Sequence, residues 1–171
     1  MEETKPLVQD PSTWKVQRIY DDGKDSYWDE IDFPLYPSGK IGSLSQKLKS
    51  DGIYLRWTPG TYDWKWHNAP QRQLIVCLNS ETEVTSTKGE RRVFGPGDCF
   101  LVDDTRGRGH CSKCLNGEGR WSIFITLPDE GRPAGGLRDA AARLIARPWV
   151  AFAAGVFAGA AGVMLASALV S

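Results

Sequence analysis

The chain carries no surplus of charge of either sign: 21 Lys and Arg stand against 21 Asp and Glu in 171 residues. A nucleic-acid-binding domain normally shows a basic excess or stripe, so that class is excluded. Histidine is scarce, with only His67 and His110, and four cysteines are too few for a disulfide-stapled scaffold. No glycine-rich phosphate loop opens a helix, which argues against nucleotide binding. No internal repeat is visible, and no long helical pattern precedes residue 136. The N-terminus, MEETKPLVQD, has neither a basic stretch nor an apolar core, so no secretory signal is expected. What the chain does contain is 41% hydrophobic residues, seven of them Trp, which excludes a mainly disordered polymer. The length allows one domain plus a tail.

The apolar content is uneven. From Trp149 to Val170 the sequence reads WVAFAAGVFAGAAGVMLASALV, without one charge. A helix over this stretch is about 33 Å long, against a hydrocarbon core of about 30 Å, and it lacks the polar stripe of a soluble helix. Residues 149–170 are therefore expected to span a membrane. Arg138, Arg143 and Arg147 precede the span and only Ser171 follows it. The positive-inside bias then keeps the N-terminal domain on the cytoplasmic, matrix or stromal side, as a single-pass, tail-anchored protein. Without entry to the secretory pathway, a lipid-anchor signal is not expected at this tail. Gly155 and Gly159 form a GxxxG, with Ala154, Ala158, Gly162 and Ala166 on an adjacent stripe. Such faces let helix backbones approach closely, so the span offers a packing surface to a partner helix or a second copy. Residues 134–148 read as a juxtamembrane amphipathic helix, with Leu137, Ala141, Leu144 and Ile145 on one face and arginines toward the headgroups.

The polar body has two parts. Residues 1–32 hold nine acids and four bases, a net charge of −5, interleaved with Trp14, Val16, Ile19, Tyr20, Tyr27 and Trp28. This composition predicts that segment 1–52 packs on the domain. From residue 53 short β runs alternate with turn residues: Ile53/Leu55/Trp57, then QLIVCLN, TEVTST, RRVF (91–94), CFLV (99–102) and Trp121/Ile123/Ile125/Leu127. Many short strands with regular turns predict a sandwich or small barrel over 53–133.

Two stretches carry chemistry. One runs from Gly60 through TYDWKWH to His67 and on to Gln73; the other is Phe94-Gly-Pro-Gly-Asp98 followed by CFLVDDTRGRG and His110. Together, in this order and separated by a β hairpin, they resemble the paired motifs of the cupin superfamily, over about residues 53–127. That resemblance implies an all-β fold, a double-stranded β-helix or jelly roll, with metal ligands at the barrel mouth. The family's full site is three His and one Glu. Here His67 and His110 match His positions, Lys65 falls on another, and the Glu position falls on Gln73, or on Gln71. With two histidines in the chain a three-His site is impossible, leaving His67, His110 and the Gln73 carbonyl oxygen as ligands for Fe, Mn, Ni or Zn. An amide brings no anionic charge to offset the ion; Asp103 and Asp104, near His110, are the nearest acids in sequence. The alternative is a polar His pair without metal.

Other groups are expected near the mouth. Arg56, if it faces inward, clamps a carboxylate; if outward, it is solvated. Tyr62, Trp64 and Trp66 either wall a pocket or pack the barrel against the N-terminal segment. Cys111-Ser-Lys-Cys114 is a CxxC, but no second ligand pair and no βαβ context support zinc or thioredoxin-like chemistry. Cys77 and Cys99 read as small buried hydrophobes. Two functions follow. The first is a ligand-binding or accessory, structural subunit of a membrane complex with a degenerate metal site. The second is a metal-dependent oxygenase, isomerase or hydrolase acting on a small organic acid.

Overall fold

Short runs of β-branched and aromatic residues, cut every few positions by Gly, Pro, Asn or Asp, become eleven strands in a computed structural model that describes residues 11–129. The segments 134–148 and 149–170, with Gly155, Gly159 and Gly162, lie outside the described residues. Among the described residues no helix is long and apolar enough to cross a membrane.

Eight strands form the barrel: β4 (Gly52–Thr58), β5 (Asp63–His67), β6 (Gln73–Cys77), β7 (Thr82–Thr85), β8 (Arg91–Phe94), β9 (Cys99–Asp103), β10 (His110–Cys114) and β11 (Arg120–Thr126). They divide into two sheets, β4-β11-β6-β9 and β5-β10-β7-β8. Within both sheets these pairs are antiparallel. Consecutive strands mostly cross from one sheet to the other, which is the eight-stranded jelly-roll winding. The turn between β8 and β9 shows the local chemistry. Pro96 precedes Gly97, whose φ of 87° suits a residue without Cβ, and Asp98 accepts a 2.8 Å hydrogen bond from the Gly95 amide.

The N-terminal part joins the larger sheet rather than resting on it. β1 (Thr13–Asp21) and β2 (Ser26–Pro37) form a long hairpin, β3 (Ser43–Ser45) extends it, and β1 pairs in parallel with β9. The tip of this hairpin braces the loops beside the site. Asp25 is bound by Lys88, at 2.6 Å, and by Arg108, and these two cations hold its carboxyl well below the usual carboxylate range. Ser26 Oγ donates to the Gly109 carbonyl at 2.7 Å.

The main core lies between the sheets, around Ile19, Trp28, Ile75, Phe94, Phe100 and Phe124. A smaller cluster of Val16, Leu101 and Leu127 sits on the opposite face of the larger sheet, with Leu74 and Ile125 against it. On β4 and β11 the alternation runs against expectation. Ile53, Leu55, Trp57 and Trp121 are exposed, Leu55 to 80%. Their neighbours Arg56, Thr58, Arg120 and Ser122 face the interior, where the last three are buried. A polar lining within an apolar barrel wall is the first sign of a site, because buried polar groups are costly unless something pairs with them.

Candidate functional site

β4 and β5 each lie at an edge of their sheet. His67 ends β5 and His110 begins β10, and the two are directly opposite in register. Their rings are 4.3 Å apart, centre to centre. Gly109 makes this approach possible. A Cβ there would stand 1.9 Å from the His67 carbonyl oxygen, and its φ is 71°. Residues 43 positions apart thus meet because one has no side chain next to it.

The ring tautomers follow from their partners. His67 Nδ1 lies 2.8 Å from the Lys65 carbonyl, which only accepts, so Nδ1 carries the proton. His110 Nδ1 lies 2.7 Å from a carboxylate oxygen of Asp104, a fully buried residue. Both rings therefore donate through Nδ1, and neither Nε2 has a hydrogen bond among the described residues. Burial pushes the His67 pKa below its ordinary value, with Arg56 and His110 acting in the same direction. An unfolded chain then binds a proton at His67 more readily than the folded one. Above the ordinary value near 6.5 both states are neutral and the site costs nothing; stability falls as pH drops below that value and levels off once the folded ring also protonates. Thermal midpoints recorded from pH 7.5 to 5 are expected to fall less in His67→Gln than in the parent chain. Equal slopes would place the proton elsewhere.

A bulge decides what else faces the mouth. Between the pairs His110–His67 and Ser112–Trp64, β10 advances two residues while β5 advances three. Strict alternation would place Trp64 beside Trp66 and send His67 to the other face; the extra residue re-aims the strand instead. Trp64 consequently stacks on His67 at 4.4 Å. Tyr62 meets Trp64 edge-on at 6.1 Å and shares a 3.1 Å hydrogen bond with Ser112. Trp66 is 53% exposed and enters none of these stacks.

The acids near His110 are partly engaged, with Asp104 Oδ1 buried and without a hydrogen-bond partner. Asp104 holds the His110 ring, and its backbone carbonyl accepts from the Ala69 amide at 3.2 Å. Asp103 lies 3.6 Å from Arg18 and 3.8 Å from Arg72. Gln73 is buried on the same strand face as Ile75 and Cys77, and no contact among the described residues joins it to either imidazole. Among the described residues no group of three His, Cys, Asp or Glu side chains is placed to hold a metal ion. The four cysteines are all free thiols, and burial pushes Cys77 and Cys99 up to about 11, away from thiolate chemistry.

Positive charge stands near His67. Arg56 lies over the faces of Tyr62, at 5.4 Å, and Phe124, at 5.1 Å, and pairs with no acid among the described residues. Two imidazoles with Nε2 free are competent metal ligands, and a carboxylate behind one of them is the usual support. The rest of the donor set does not fit a resident divalent ion, since no carboxylate faces it and a guanidinium does. The interior residues Arg120 and Ser122 were not legible as site residues. The apolar periodicity of Trp121, Ile123 and Ile125 pointed the opposite face of β11 inward. The signal that would have found them is Arg120-x-Ser122 lying opposite Thr58 and Arg56, which needs the β4–β11 register.

No family model matches the chain, and no curated protein matches it. Solved structures similar in shape include a protein of Neisseria meningitidis, 14% identical, covering 47% of this chain and 79% of that one with a TM-score of 0.36. Another is an RmlC-like cupin of Shewanella frigidimarina, 16% identical, covering 75% of this chain and 97% of that one with a TM-score of 0.34. The strand order itself is the firmer ground, because eight strands in the order 4-11-6-9 and 5-10-7-8 bring the two motif histidines to one mouth. On that order the chain has an eight-stranded jelly-roll fold.

Proposed function

We propose that this chain is a membrane-anchored cupin-fold module whose barrel mouth binds a small organic acid, serving as a ligand-binding or accessory subunit of a membrane complex. The observation that supports the ligand is Arg56, a half-buried guanidinium held over two aromatic faces with no carboxylate partner among the described residues. A desolvated cation with fixed geometry favours an anion, and a charge-assisted pair contributes roughly 1.5–3 kcal/mol. His67 and His110 would accept hydrogen bonds through Nε2 from a hydroxyl or amine of the bound molecule. The support for a membrane complex is the uncharged run 149–170 with Gly155, Gly159 and Gly162 on its small-residue faces. In this arrangement the barrel faces the cytoplasm, matrix or stroma, and a second copy or a foreign helix packs on the span.

A second reading, a metal-dependent oxygenase, isomerase or hydrolase, is favoured only by the two Nδ1-anchored imidazoles. Elemental analysis of the detergent-purified full chain separates the two. The ligand-binding reading expects well under one equivalent of Fe, Mn, Ni or Zn, with no increase in Gln73→Glu. Stoichiometric metal that disappears in His67→Ala would replace it with the enzyme.

A further inference from the structure

Nine buried side-chain polar atoms of the described residues have no hydrogen-bond partner, and four of them belong to Thr58, Arg120 and Ser122. Chance would scatter them; here they adjoin. Arg120 faces Thr58 across the β4–β11 pair, and Ser122, the next interior residue on β11, faces Arg56. The unpartnered atoms are Thr58 Oγ1, Arg120 Nε and Nη1, and Ser122 Oγ. Arg120 is only 5% exposed and forms no ion pair among the described residues. Its surroundings are Cys77, Cys114, Tyr62 and Arg56, none of them an acid.

A buried guanidinium without an anion is an expensive arrangement, costing several kcal/mol after relaxation. The chain could relieve it with a methionine or leucine of similar volume, since nothing structural is tied to the head group. Several charges among the described residues are matched, Arg18 with Asp29 at 2.6 Å, Asp25 with Lys88, and His110 with Asp104, whereas Arg56 and Arg120 have no acid partner among those residues. Arg120 is the more deeply buried of the two.

Resting on the reading of the mouth as a ligand site, we propose that Arg120 is the anchor of that site. It takes a carboxylate oxygen at Nε or Nη1, with the Thr58 and Ser122 hydroxyls as further donors. Hydrogen bonds from a guanidinium to a carboxylate are charge-assisted and about twice as strong as neutral ones. Arg56, nearer solvent, then acts as a second cation at the entrance.

The test uses the full chain in detergent, with benzoate as probe and benzamide as its neutral counterpart. Arg120→Met and Arg120→Gln are compared with the parent by thermal unfolding and equilibrium dialysis. Without probe, Arg120→Met is expected to unfold several degrees higher than the parent, because an uncompensated charge has been removed. Benzoate is expected to raise the midpoint of the parent, to bind at least about ten-fold more weakly to both variants, and to outcompete benzamide in the parent. Benzoate binding that is unchanged in both variants would overturn the assignment of Arg120 while leaving the mouth as a ligand site. If neither benzoate nor benzamide binds the parent chain, both the anchor and the reading of the mouth fail. A lower midpoint for Arg120→Met together with unchanged benzoate binding would make Arg120 a structural residue, also overturning the assignment.

Discussion

Deleting residues 149–171 is expected to move the protein from the carbonate-washed membrane pellet to the supernatant. Residues 149–170 are 22 consecutive uncharged residues, and a helix of that length would be enough to cross the hydrocarbon core once. Each Leu, Ile, Phe or Val near the centre contributes about −0.3 to −0.6 kcal/mol to insertion, whereas an arginine costs about 2.5–3.5 kcal/mol. Gly159→Arg, close to the midpoint and on a small-residue face, should therefore weaken insertion and helix packing together. Shortening the segment by its last few residues should do neither. If the truncated chain still pellets after carbonate washing, the anchor lies elsewhere and residues 149–170 have another role.

Gly109→Ala is expected to be among the most damaging single substitutions in the barrel. The added methyl would stand 1.9 Å from the His67 carbonyl oxygen, a backbone atom that cannot swing aside, at a φ of 71°. The left-handed conformation costs about 1 kcal/mol for a residue with Cβ, and overpacking against backbone adds about 1–3 kcal/mol. The sum, about 3 kcal/mol, corresponds to roughly 10 °C in the unfolding midpoint of a domain this size. Gly89→Ala supplies the control. Its φ is 82°, yet nothing lies within 4 Å of the position a Cβ would take, so only the conformational cost applies. Gly109→Ala should also separate the two imidazoles and change any probe response of the mouth, whereas Gly89→Ala should not. Equal losses in the two variants would mean that the close approach at Gly109 is not what joins β5 to β10.

Much of this architecture could be read from residue patterns, because turns and strand starts are local. Gly95-Pro96-Gly97-Asp98 closes a tight turn whatever surrounds it, and QLIVC and RWSIFIT have the composition of strands. The pairing of His67 with His110 was implied only by the resemblance of two distant motifs, since spacing of 43 residues has no local meaning. What escaped was facing. On β4 and β11 the apolar residues Ile53, Leu55, Trp57 and Trp121 look outward, so that Arg56, Arg120 and Ser122 line the interior. Alternation gives the period of a strand but not which half of it is buried, and the usual assumption of an apolar interior inverts the answer wherever a barrel holds a polar site. The same holds at β5, where one extra residue in the ladder exchanges the places of Trp66 and His67. Asp104 was visible as a nearby acid, but only three-dimensional contact shows that one of its oxygens supports the His110 ring.

The electrostatic character of the mouth separates the competing accounts. An ion held by the two Nε2 atoms would be opposed by the positive charge that Arg56 sets beside His67. The most direct measurement is a pair of titrations on the full-length, detergent-solubilised chain, one with benzoate and one with Mn(II) or Zn(II), each followed by calorimetry and repeated in His67→Ala. Saturable benzoate binding, with no stoichiometric uptake of either ion, is the predicted result. Tight one-to-one binding of an ion that vanishes with His67, alongside indifference to benzoate, would contradict it.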